Sequence, residues 1–74
     1  MANKREWLIE LRKEKNKTQQ DVAIAGDISR QYYSFIESGE RGVPVPTAKR
    51  IAAALGFDWQ RFYEDPAEEK QTPA

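Results

Sequence analysis

The chain contains no cysteine and no histidine among its 74 residues. Without cysteine, neither a disulfide nor a thiolate metal site can staple the fold. Without histidine, the commonest general base and the commonest transition-metal ligand are both missing. There is no glycine-rich phosphate loop either, and the carboxylates sit on polar stretches that read as solvated helix faces. No catalytic residue, cofactor or metal site is therefore expected, and an enzyme is disfavoured. No apolar run approaches the roughly 20 residues that a membrane span needs. The opening stretch, MANKREWLIELRKEK, scatters charge where a signal peptide would carry its apolar core, so the expected location is cytoplasmic with no membrane partner.

Net charge is lacking as well, with 12 basic and 12 acidic side chains. That balance gives no overall electrostatic footprint for a polyanion. The distribution is uneven. Residues 1–50 hold ten basic and seven acidic side chains, and residues 51–74 hold two and five. One face of the first part can still be locally positive. The hydrophobic fraction of 39% suffices for one small core, at a size where burial barely sustains a domain.

What the chain does have is punctuation for helices. Asn3 and Glu6 stand at capping-box spacing before Trp7, Leu8 and Leu11, predicting a first helix over residues 3–15 with Glu6, Glu10, Glu14 and several Lys and Arg on its outer face. Thr18 and Asp21 form a second box and open a helix over residues 19–25 that buries Val22 and Ala23. Gly26 and Asp27, residue types that tolerate turn conformations, break it. Ser29 caps a third helix over residues 30–38, with Ile28 and Tyr33 at hydrophobic-staple spacing and Gly39 as the stop. Residues 39–46, with two Gly and two Pro, read as a loop. Pro46 fits the first turn of a fourth helix, which runs to Leu55 with Ile51, Ala52 and Leu55 inward and stops at Gly56. Asp58 caps a last short helix between Phe57 and Phe62. The domain spans residues 1–65, and residues 66–74 form a polar, frayed tail. The fold class is all-α, a compact five-helix bundle.

Two short helices joined by about four residues make the helix-turn-helix plan, whose second helix enters the DNA major groove. In that plan the start of the third helix, here Ser29, Arg30 and Gln31, reaches base edges. Arg bonds both guanine acceptors and Gln bonds adenine's acceptor and donor, each good bidentate pair giving about 1–3 kcal/mol of discrimination. Ser34, one turn on, suits a base or a phosphate. Phe35 either presses on a thymine methyl or packs against helix two or the following loop. Tyr32 either reaches a phosphate with its hydroxyl or shields the core edge.

Leu11-Arg12, Thr18-Gln19, Val22-Ala23, Ile28-Ser29-Arg30, Ile36-Glu37-x-Gly39 and Ile51-Ala52-x-x-Leu55-Gly56 together resemble the lambda repressor/Cro-like helix-turn-helix family, often called the XRE family, over residues 8–63. The resemblance implies a lambda repressor-like bundle. It also implies a prokaryotic or phage transcriptional regulator, most simply a repressor, that binds double-stranded operator DNA as a homodimer. By the same resemblance Gln19 contacts phosphate through its backbone, while its amide adds a donor or braces the recognition helix. Arg41 reaches the sugar-phosphate backbone, with Lys17 and Lys49 as weaker candidates. Arg12 and Glu37 form an ion pair tying helix one to helix three. Phe57, Trp59 and Tyr63 mark a dimer interface; Phe57 and Phe62 belong to the core, and Trp59 is either left outside or folded down over helix one near Trp7. The chain departs from the family pattern at Gly26-Asp27, where the family has an apolar residue and then Gly, and at Val43-Pro44-Val45-Pro46, where Pro-Ser is usual. An antitoxin, or a module that binds a protein partner on the same scaffold, is the alternative.

Overall fold

Four residues in the left-handed backbone region punctuate the chain: Asn16, Asp27, Gly39 and Gly56, at φ 57°, 60°, 82° and 75°. They appear in a computed structural model that describes residues 4–64. Each closes an α-helix: α1 (Glu6–Glu14), α2 (Gln19–Gly26), α3 (Arg30–Ser38) and α4 (Val45–Leu55), followed by a 3-10 helix, η1 (Trp59–Glu64). No strand occurs among the described residues.

The four closures share one geometry. The N–H beyond each left-handed residue returns to a carbonyl five residues back: Lys17 to Arg12, Ile28 to Ala23, Glu40 to Phe35 and Phe57 to Ala52, at 3.0–3.1 Å. This is the Schellman arrangement, which satisfies carbonyls that a helix end leaves without partners. Gly39 and Gly56 adopt it freely, whereas a side-chain-bearing residue is strained there by about 1–2 kcal/mol, less for Asn and Asp.

The helix starts differ among themselves. Thr18 Oγ1 accepts from the Asp21 N–H at 3.1 Å, and Asp21 Oδ2 accepts from the Thr18 N–H at 2.9 Å, completing the expected box. Ser29 Oγ accepts from the Tyr32 N–H at 3.0 Å. At α1 the expectation fails. The helix begins at Glu6, with Arg5 at the cap position and no side-chain cap bond, while Asn3 lies outside the described residues. Helix two extends one residue further than expected, through Gly26, and Asp27 makes the left-handed turn. Helix four begins at Val45, and Pro46 stands in its first turn as expected. The frayed tail expected over residues 66–74 lies outside the described residues.

The core is built from every element: Leu8 of α1, Val22 and Ala23 of α2, Tyr33 and Ile36 of α3, Ala48, Ile51 and Leu55 of α4, Phe62 of η1, and Val43 from the α3–α4 loop. Gly26 lets α2 approach α4 closely, since a Cβ there would lie 3.2 Å from Ile51 Cγ1. Trp7, Phe57 and Phe62 meet edge to face, with ring centroids 5.3–5.5 Å apart. Such pairs add about 0.5–1.5 kcal/mol each beyond area burial. This cluster joins η1 to α1. Together these contacts hold α2 and α3 as a rigid pair whose outer side is open.

Candidate nucleic-acid interface

A single carboxylate locks the helix pair. Glu37, with a side chain only 5% exposed, receives Arg12 Nε at 2.6 Å on Oε2. Its Oε1 receives Gln19 Nε2 at 2.9 Å and Arg12 Nη2 at 3.5 Å. Arg12 Nη1 donates onward to the Lys17 carbonyl at 2.9 Å, and Arg30 Nη1 donates to Gln19 Oε1 at 3.4 Å. The network therefore runs from the α1–α2 turn to the first residue of α3. The hydrogen bond to Glu37 raises the Arg12 pKa above its ordinary value. Burial, and then the neighbouring Glu37 carboxylate, push the Tyr33 phenol well above the usual tyrosine range. Of the two side-chain roles expected for Gln19, the amide takes the brace.

Outside this lock, α3 presents its first turn to solvent. Ser29, Arg30 and Gln31 are exposed, and Tyr32, Ser34 and Phe35 are half-buried. Ser29, Gln31, Tyr32, Phe35 and Arg41 line a surface pocket of about 230 Å³. The Arg41 guanidinium lies over the Phe35 ring, 5.6 Å from its centroid. Phe35 thus packs on the following loop while one part of it faces the pocket. The Tyr32 hydroxyl is directed to the loop as well, donating to the Gly42 carbonyl at 3.3 Å.

The α3–α4 loop is held carbonyl by carbonyl. Arg5 Nη1 donates to Arg41 O at 3.2 Å, Tyr32 to Gly42 O, and the Tyr63 hydroxyl to Val43 O at 2.6 Å. Three side chains from three parts of the chain thereby fix three successive peptide units. Arg5 belongs to a stretch that sequence spacing assigns to a solvated helix face, yet it is fully buried. Its Nη1 also donates to Ile36 O at 2.6 Å, its backbone N–H to Glu37 O at 2.8 Å, and its guanidinium lies 5.7 Å from the Phe62 ring centroid. A cation at the carbonyl end of α3 is favoured by the helix macrodipole. No sequence signal marks it, because its partners are backbone carbonyls more than thirty residues on.

Among the C-terminal aromatic residues, Phe57 and Phe62 pack into the core as expected, whereas Trp59 takes neither expected place. Trp59 is half-buried, not left outside: it meets Tyr63 edge to face at 5.9 Å, and Lys49 Nζ sits 5.2 Å from its ring centroid. Lys49 is drawn to this aromatic end of the molecule. Phe57 is half-buried within the Trp7 cluster. Among the described residues, the large apolar side chains that do stand exposed are Ile24 of α2, at 68%, and Val45 of α4, at 42%.

Comparison with known proteins agrees with this architecture. A helix-turn-helix family model matches residues 8–62. The chain is 49% identical over 61 residues to the uncharacterized HTH-type transcriptional regulator YqaF of Bacillus subtilis, covering 82% of this chain and 80% of that one. It is 39% identical over 59 residues to the control protein C.MunI of a Mycoplasma species, covering 78% and 80%. The capped helix pair, the carboxylate that locks it and these matches have one meaning: the chain belongs to the lambda repressor/Cro-like, or XRE, helix-turn-helix family.

Proposed function

We propose that this protein is a sequence-specific transcriptional regulator that binds double-stranded operator DNA through α3, acting most simply as a repressor by occupancy. The observation that carries the reading is the division of labour along α3. Its inward side is locked through Glu37, Arg12 and Gln19, while Arg30 and Gln31 stand exposed on its first turn. A recognition helix needs that rigidity, because base readout depends on side chains arriving preorganised at groove edges. Ser34 and the Arg41 loop extend the contact surface, with Lys17 available to phosphates. The domain binds as a homodimer, placing two recognition helices about 34 Å apart on half-sites one helical turn apart. The region of Phe57, Trp59 and Tyr63 is the proposed dimer face. No helix among the described residues is long and apolar enough to cross a membrane, and a cytoplasmic, non-enzymatic, cofactor-free role follows from the same reading.

An unbiased DNA selection at low salt, paired with sedimentation, tests this. A single motif with two spaced half-sites is expected. Gln31→Ala should weaken binding to that motif by about 5- to 150-fold, the equivalent of one bidentate base contact, and should relax preference at one position. Enrichment of no motif would refute the reading. The second reading is a module that binds a protein partner, as an antitoxin does, favoured by the zero net charge and by the exposed Ile24. A stoichiometric protein partner, with DNA affinity indifferent to Gln31→Ala, would favour it.

A further inference from the structure

We propose that Arg5 is a positioning residue for DNA binding: from behind the α3–α4 loop it turns the Gly42 N–H outward, towards a backbone phosphate of the operator. The inference rests on the DNA-binding reading and goes further by giving a role in it to a buried side chain that touches no DNA. Arg5 Nη1 donates to Ile36 O in the last turn of α3 and to Arg41 O in the loop, at 2.6 and 3.2 Å. Two bonds from one nitrogen fix how far the loop stands from the helix. Arg5 is itself held in turn. It is fully buried, its guanidinium lies against the Phe62 ring, and its backbone N–H is bonded to Glu37 O.

Peptide geometry carries the effect across the loop. The Arg41 carbonyl and the Gly42 N–H belong to one trans peptide, which points them to opposite sides. Drawing the carbonyl in to Arg5 therefore sends the N–H away from the core. Among the described residues nothing accepts from that N–H. Gly42 is partly exposed and has no side chain to cover it, the condition under which backbone approaches a ligand closely. The same loop carries the exposed Arg41 guanidinium, lodged over the Phe35 ring. An outward N–H on a loop with a placed cation suits an anion, and backbone N–H groups are among the donors that fix register on DNA phosphates.

The test uses the sequence that a DNA selection enriches, with each phosphate of one half-site replaced in turn by methylphosphonate, which removes its charge and one acceptor oxygen. On the unmodified sequence the Gly42 amide proton of isotope-labelled, unaltered protein should move downfield. At one phosphate the replacement should reverse that shift and raise Kd about ten-fold, as for a hydrogen bond to a charged group. Arg5→Lys keeps a cation at the end of α3, but its nitrogen falls one bond short of the guanidinium nitrogens, so the longer bond, to Arg41 O, is lost first. This variant should bind unmodified DNA about 2- to 10-fold more weakly. It should also lose most of the penalty at that one phosphate and keep the base preference that Gln31 sets. Folded Arg5→Lys with the parent's affinity, or with the parent's full penalty at that phosphate, overturns the positioning role. So does a loss spread equally over all phosphates and bases, the mark of a merely structural residue. Tight binding of the selected sequence with no phosphate-dependent shift at Gly42 overturns the proposal while leaving DNA binding intact. That measurement on the unaltered protein decides against it even if Arg5→Lys does not fold.

Discussion

Arg12 Nε stands 2.6 Å from Glu37 Oε2, joining α1 to the last turn of α3 with little water access to either side chain. Removing one partner of such a pair leaves a charge without compensation in a poorly solvated place, which typically costs about 3–5 kcal/mol. Glu37→Ala also strips Gln19 of its acceptor. It is expected to destabilise by about 3 kcal/mol, whereas Glu40→Ala, at an exposed position, should change stability by about 0.5 kcal/mol or less. Thermal denaturation of the two variants side by side checks this, and equal melting temperatures would refute the pairing as a stabilising contact.

Asp27 makes a turn for which glycine is the unstrained choice, at φ 60°. Its side chain is exposed, so relief of backbone strain is the main consequence of replacement. Asp27→Gly is expected to stabilise the domain by about 0.5–1 kcal/mol, the strain relieved exceeding the added freedom of the unfolded chain. A urea midpoint that falls instead would show that the aspartate contributes a contact stronger than the strain.

The Tyr63 hydroxyl is the reach of η1 into the α3–α4 loop. Tyr63→Phe removes that hydrogen bond while keeping the ring, at a stability change of about 1 kcal/mol. Hydrogen exchange should quicken at the amides of Gly42 and Val43 more than in α2. Uniform quickening across the domain would mean that the hydroxyl supports the whole fold rather than this loop.

Asp21 is held below the usual carboxylate range, first by the Thr18 backbone N–H. A carboxyl whose pKa falls on folding stabilises the folded state when ionised. That contribution is complete above its ordinary value of 3.8 and is lost as pH drops through the lower folded value. Asp21→Asn should therefore be less stable than the parent near neutrality, and the two should converge in acid below about pH 3.8. Melting temperatures across pH 2–7 measure the difference, about constant if the carboxylate is irrelevant.

Much of this was legible because the signals are local. Thr18 with Asp21, Ser29, Gly39 and Gly56 act within five residues of themselves, and the elements they bound sit where spacing puts them. The inward residues Val22, Ala23, Tyr33, Ile36, Ile51 and Leu55 follow from helical period alone. Arg5 was illegible for the opposite reason. Its chemistry lies with carbonyls of α3 and the loop, and backbone carries no residue identity to read. Trp59 was misplaced because exposure depends on how η1 turns back on α4, which brings Tyr63 and Lys49 around the indole. Gln19 could be narrowed to two roles, and only the distance to Glu37 separates them.

Gln31 makes no closure of its own: the turns, the carboxylate lock and the carbonyl-bound loop all assemble behind it. On the proposed reading, specificity and folding are written in different letters of the same helix. A lineage could then rewrite the outward letters, and with them the DNA sequence it answers to, without renegotiating how the domain holds its shape.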